Sequence, residues 1–161
     1  MNFLNWLGIT NAGKPLEVGE AAPDVMSRDE QGHEVRLADF YREGFTLIYF
    51  YPKADTPGCT AQACSLRDDF AELQSRGVRV IGVSADGAEA QRRFKEKHRL
   101  PFTLLADTGH LVAKAFGVRL MLGMTHRQSF LIKDGRIVWR DLSAATKEQA
   151  RDVLKVLEKL Q

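Results

Sequence analysis

The run FTLIYFY (45–51) is apolar and aromatic almost throughout, and it stops at Pro52. A strand with one wet face would alternate, so an unbroken run of this length predicts a central strand buried on both faces. VRVIGVSAD (78–86) reads the same way, and a polar helix is expected to follow over roughly 87–98. Between these two strands, residues 57–76 carry apolar positions at helical spacing and end at Gly77, which predicts one helix. DVMSRDEQGHEVRLADF (24–40) predicts two short strands joined by a polar turn at Asp29–Gly32. FTLLAD (102–107) predicts a shorter strand, and GHLVAKAFGV a short helix closed by Gly117. In RQSFLIKDGRIVWRD (127–141) two alternating runs flank Asp134-Gly135, the strongest hairpin signal in the chain. Thr146 and Gln149 have capping-box spacing ahead of a last helix whose stripe is Ala150, Val153, Leu154 and Leu157.

The order is therefore a hairpin, a βαβα unit, a short β-α insertion, a second hairpin and a closing helix. A parallel βαβ half joined to an antiparallel hairpin predicts an α/β thioredoxin-like fold: a central mixed β-sheet flanked by helices, with an N-terminal β-hairpin extension. No internal repeat, low-complexity tract or linker divides the chain, so residues 15–161 read as one domain and 1–14 as an N-terminal extension. In open α/β sheets the active crevice lies beyond the carboxyl ends of the strands. Cys59 falls there, between strand 45–51 and the helix after it.

Charge removes some partners from consideration. The 23 basic and 21 acidic side chains leave a net charge of only +2, which offers no electrostatic case for nucleic acid or an anionic membrane. The densest basic run, QRRFKEKHR (91–99), contains Glu96 and reads as the solvated face of a helix. No apolar run reaches the roughly 18–20 residues of a membrane-spanning helix. MNFLNWLGIT lacks the cationic start and small-residue cleavage site of a secretory signal. Its Phe3, Leu4, Trp6 and Leu7 suit one amphipathic turn docked on the body, or a weak contact for a partner or membrane surface. Two cysteines in a chain of 161 residues do not make a disulfide scaffold, so reducing, cytoplasmic surroundings are the expectation.

Both cysteines lie in YPKADTPGCTAQAC (51–64). Asp55 or Thr56 can cap the helix, and Pro57 suits its first position because proline lacks the N–H that would be orphaned there. Cys59 then sits in the first turn, where free amide N–H groups and the positive end of the helix dipole gather; both favour the thiolate, the form of the sulfur that attacks. Gly58 lets another molecule approach the backbone. At 100° per residue, Ala63, Leu66, Phe70 and Leu73 fall within about 40° of Cys59, while Cys64 sits about 140° away. Helical geometry separates the two Cα atoms by about 8.7 Å, beyond the roughly 7 Å that a disulfide can bridge. Thiols near in sequence but held apart by regular structure suggest a conditional bond, formed after one sulfur is oxidised and the helix opens. A permanent structural disulfide is disfavoured by geometry and compartment. Cys-x4-Cys offers zinc only two ligands, with no suitably spaced pair following. Cys64 alone also fits an inert core cysteine.

YPKADTPGCTAQAC resembles the peroxidatic motif of peroxiredoxins, Pro-x-x-x-Thr-x-x-Cys, carried here by Pro52, Thr56 and Cys59. With a second cysteine five residues on, it resembles the bacterioferritin-comigratory-protein or peroxiredoxin Q subfamily. The likeness runs from about PLEVGEAAPDV (15–25) to the end and includes RQSFLI, where Arg127 matches the family's active-site arginine. The resemblance implies a peroxidase without metal, haem or flavin. Cys59 would attack a hydroperoxide, Arg127 would stabilise the charge, Thr56 would position the peroxide and Pro52 would shield the sulfur. Cys64 would resolve the Cys59 sulfenic acid, and thioredoxin or a similar dithiol would reduce the disulfide. A monomer is implied in the same way. Bland roles compete for three of these residues: a strand arginine in a salt bridge, an N-cap for Thr56 and strand termination for Pro52. His126, adjacent to Arg127 on a strand, faces the other way and is left out. The alternative enzyme, a thioredoxin-like thiol-disulfide oxidoreductase, would use a Cys-x-x-Cys that the chain lacks.

Overall fold

The computed structural model describes residues 14–161. Its centre is a five-stranded sheet in the order β5-β4-β3-β8-β9. These strands are β3 (Phe45–Phe50), β4 (Val78–Ser84), β5 (Thr103–Ala106), β8 (Gln128–Lys133) and β9 (Arg136–Asp141). β3 pairs in parallel with β4, and β4 with β5, while β3–β8 and β8–β9 are antiparallel. The mixed sheet is the one the element order predicts. Every residue of β3 is buried, as its unbroken apolar run requires of a strand covered on both faces.

Side chains alternate across the pleat, so the sheet builds two cores. Leu47, Tyr49 and Tyr51 point to one with Cys59, Ala63, Leu66, Phe94 and Val153. Ile48 and Phe50 point to the other with Val112, Phe116 and Phe130. The first core lies beneath α2 (Pro57–Asp68), α3 (Phe70–Ser75), α4 (Ala88–His98) and α6 (Gln149–Leu160). The second is covered by the short helices α1 (Leu37–Phe40) and α5 (Leu111–Phe116). No helix among the described residues is long and apolar enough to cross a membrane.

The N-terminal hairpin, β1 (Met26–Arg28) with β2 (Glu34–Arg36), stands apart from the main sheet. Single bridges nevertheless tie this region to both edges, Asp29 to Leu105 on β5 and Ala21 to Arg136 on β9. Each bridge occupies backbone groups that an edge strand would otherwise offer to another chain. Asp134 and Gly135 both have positive φ, 51° and 74°, the turn geometry that matches the twist of a tight hairpin.

Four details differ from the sequence reading. The helix over 57–76 is two helices, because Asp69 leaves helical geometry at φ −102°, ψ 13°. The second strand of the N-terminal hairpin stops at Arg36, and Leu37–Phe40 turns into α1. A small hairpin, β6 (Leu120–Met121) and β7 (Met124–Thr125), interrupts VRLMLGMTH; its strands are too short to show an alternation. The capping box does not form, since α6 begins at Gln149 behind Glu148 and has no side-chain cap. Gln149 is instead fully buried. The expected docking of Phe3, Leu4, Trp6 and Leu7 lies outside the described residues.

Candidate active site

β3 ends at Phe50, and the chain turns through Tyr51–Thr56 into the N-terminus of α2 beyond the carboxyl ends of the strands. Thr56 has extended backbone and takes the N-cap position, with Pro57 at the first helical position. Its hydroxyl does not cap the helix; it donates to the Lys53 carbonyl at 2.7 Å. The first helical bond runs from the Thr60 N–H to the Thr56 carbonyl, so the Gly58 and Cys59 amides precede the intrahelical ladder and lack a partner within it. Pro52, half-buried, lies at the start of this turn.

Cys59 is 1% exposed and packs with Ala63 and Leu66, the helical stripe expected of it. Cys64 is half-buried, and both thiols are free within the unbroken α2. Arg127 reaches Cys59 from the residue before β8. Its Nη2 lies 3.5 Å from Cys59 Sγ, and its Nη1 donates to Gln62 Oε1 at 2.7 Å. The arginine is thus aimed at the sulfur by a fork: one arm on the thiol, one on the helix that carries it. Gly58 makes room for that fork, since a Cβ there would stand 3.0 Å from Arg127 Nη2.

Gln62 and Gln149 are site residues that sequence reasoning missed. Gln62 is fully buried, and its Nε2 donates to Gln149 Oε1 at 3.0 Å. The Ser129 hydroxyl donates to the same oxygen. A glutamine three residues after Cys59, on the buried side of the helix, was the available signal, because a buried polar side chain needs partners. Gln149 gave a misleading signal by standing at capping-box spacing.

A second network braces the turn from the α4 side. The Tyr51 hydroxyl bonds Gln91 Oε1, and Gln91 Nε2 donates to the Ser84 hydroxyl and the Leu105 carbonyl. Ser84 in turn donates to Asp86 Oδ2, which also accepts the Ala54 N–H at 2.7 Å. Burial pushes the Tyr51 phenol well above its ordinary range, so it stays a neutral donor. On the opposite side, the Thr125 hydroxyl donates to the Tyr51 carbonyl at 2.7 Å. His126 bonds through its N–H to Arg119.

Pro52, Thr56, Cys59 and Arg127 therefore converge on one end of the sheet, with Cys64 on the same helix as Cys59. This arrangement has relatives. The AhpC/TSA family profile matches residues 18–140. Over 131 residues the chain is 49% identical to peroxiredoxin Bcp of Escherichia coli K12, covering 76% of this chain and 83% of that one. The crystal structure of peroxidoxin BcpB from Mycobacterium tuberculosis superposes with a TM-score of 0.85 at 31% identity, covering 91% of this chain and 99% of the other. The bacterioferritin comigratory protein of Xanthomonas campestris, described with an alkyl peroxide reduction activity, superposes with a TM-score of 0.79 at 27% identity, over 89% and 96% of the two chains. With its profile, sequence and fold in agreement, the chain belongs to the AhpC/TSA family as a peroxiredoxin of the Bcp and Q type, a thiol-dependent peroxidase.

Proposed function

We propose that Cys59 is the peroxidatic residue and Cys64 the resolving one, in a cycle that reduces hydrogen peroxide and organic hydroperoxides. The observation that carries this reading is the Arg127 fork, which sets a permanent cation 3.5 Å from the Cys59 sulfur. The thiolate attacks one peroxide oxygen, the O–O bond breaks, and the other oxygen leaves as hydroxide or alkoxide and takes a proton. Cys59 is then a sulfenic acid. Negative charge moves from sulfur to the departing oxygen during this step, so fixed donors beside both atoms lower the barrier. Arg127 and the Gly58 and Cys59 amides are such donors. Thr56 already donates its hydroxyl proton to Lys53, which leaves its oxygen to accept the O–H of the incoming hydroperoxide. Pro52 limits the access of water to the sulfur.

Cys64 loses its thiol proton and its sulfur attacks the sulfenic sulfur; the S–O bond breaks, and the expelled hydroxide takes up that proton, giving a Cys59–Cys64 disulfide and water. An external dithiol, thioredoxin or a protein like it, restores both thiols by exchange. The enzyme acts as a monomer in the cytoplasm on this reading, where a reducing compartment keeps two such thiols available.

The test is peroxide consumption with thioredoxin and its reductase. Cys59→Ser should lose it entirely. Cys64→Ser should still consume one equivalent, then accumulate sulfenic acid and, under excess peroxide, sulfinic acid at Cys59, read by mass spectrometry. Thiol-dependent turnover surviving in Cys59→Ser overturns the assignment.

A further inference from the structure

Two residues flank the stretch of α2 that must open for the disulfide step, and both are held by one residue of α4. Asp55, immediately before the N-cap, has positive φ, 62°. Its Oδ1 lies 2.9 Å from His98 Nε2, and its Oδ2 accepts from Lys97 Nζ at 2.8 Å. The hydrogen bonds from Lys97 and His98 hold the Asp55 carboxyl below its usual range; an ionised carboxylate only accepts, so the Nε2 of His98 carries the hydrogen. Near the other end of α2, Arg67 Nη1 donates to the His98 carbonyl at 2.8 Å. The His98 side chain is only 18% exposed, and its ring meets Phe94 edge-on at 5.4 Å.

We propose that His98 and Asp55 are positioning residues that set how readily the first turns of α2 open for resolution of the Cys59 sulfenic acid by Cys64. This rests on the resolving role given to Cys64 above. The segment 57–66 must leave helical geometry for the two sulfurs to meet. With Asp55 and Arg67 both anchored on His98, the ends of that segment cannot separate or swing freely, so its open form gains less conformational entropy and is less populated. Weakening the clamp favours opening. It therefore quickens the disulfide step and shortens the time during which a second peroxide can oxidise the sulfenic acid.

Two substitutions weaken the clamp at its Asp55–His98 bond and leave the Arg67 bond to the His98 carbonyl in place. Asp55→Asn discards the charge yet suits the left-handed backbone, which asparagine tolerates well. His98→Phe keeps a ring against Phe94 and removes Nε2. In each reduced variant, hydrogen exchange of amides across 57–66 should quicken by about two- to fivefold, the scale of a partly exposed ion pair. After one equivalent of hydrogen peroxide, the Cys59–Cys64 bond should form faster by a similar factor. Under excess peroxide a smaller share of Cys59 should end as sulfinic acid. The double variant should fall short of the sum of the two single effects, because both changes act on the same Asp55–His98 bond. General loosening of the fold would instead raise exchange in the central strands and give additive effects. Unchanged protection across 57–66 in both variants, or additivity in the double variant, overturns the clamp. A wild type that never forms the Cys59–Cys64 bond overturns the role of Cys64 instead, and the exchange of the reduced variants still decides the clamp.

Discussion

At the scale of single residues, the proposed chemistry depends on one guanidinium doing two things. Arg127 places Nη2 at Cys59 and Nη1 at Gln62, and Gln62 is itself held by Gln149. A lysine would keep the charge and lose the fork. Arg127→Lys should therefore lower the rate constant for Cys59 with hydrogen peroxide by about 10²-fold, the usual scale for losing one preorganised donor to a developing oxyanion. Stopped-flow measurement of that first step, before the disulfide forms, checks it. A full rate in the lysine variant removes Arg127 from the mechanism. The residues to which the proposed cycle assigns roles, Pro52, Thr56, Cys59, Cys64 and Arg127, could all be named from the sequence, because short motifs fix residue type and spacing. Gln62 and Gln149 were not, because neither changes any local pattern; their bond spans 87 positions.

At the scale of elements, the proposed cycle gives α2 two jobs that conflict. Its first turns present Cys59 to the peroxide only while helical, yet the same turns hold Cys64 out of reach. Oxidation by one equivalent of peroxide should therefore unwind them. Amide exchange across 57–66 should quicken in the oxidised protein and recover when a dithiol is added; a disulfide formed with undiminished protection would contradict this. The break at Asp69 has a bearing here. α3 begins afresh at Phe70 and keeps Leu73 fully buried, so α2 can open without pulling its neighbour from the core. The sequence showed the shared apolar stripe of 57–76 but not the break, because Asp69 is unremarkable as a local signal.

At the scale of the whole molecule, the redox state should be coupled to stability. Opening α2 removes helical hydrogen bonds and exposes part of the first core, whereas a cross-link over so short a loop restrains the unfolded chain only modestly. The reduced form should be the more stable by about 1–3 kcal/mol, with Tm shifting roughly 2–4 °C per kcal/mol at this chain length. Thermal unfolding with and without a dithiol measures the difference, and an oxidised form that melts higher would show that the cross-link outweighs the strain.

The sequence by itself determined the five strands of the main sheet, the N-terminal hairpin and the place of Cys59 in the first turn of the helix after β3. Periodicity, turn residues and helix-start signals act over a few neighbouring positions, and each was strong: the unbroken FTLIYFY, the Asp-Gly turn and the Thr-Pro-Gly-Cys start. Tertiary structure alone decided which partners those residues meet. The Thr56 hydroxyl turns back to Lys53, Gln149 abandons a cap for the buried network under Arg127, and His98 joins Asp55 to Arg67. Hydrogen bonds between distant positions follow from how the helices pack on the sheet. Local pattern carries no record of that packing, because a buried polar side chain takes whichever donor or acceptor the fold brings within reach.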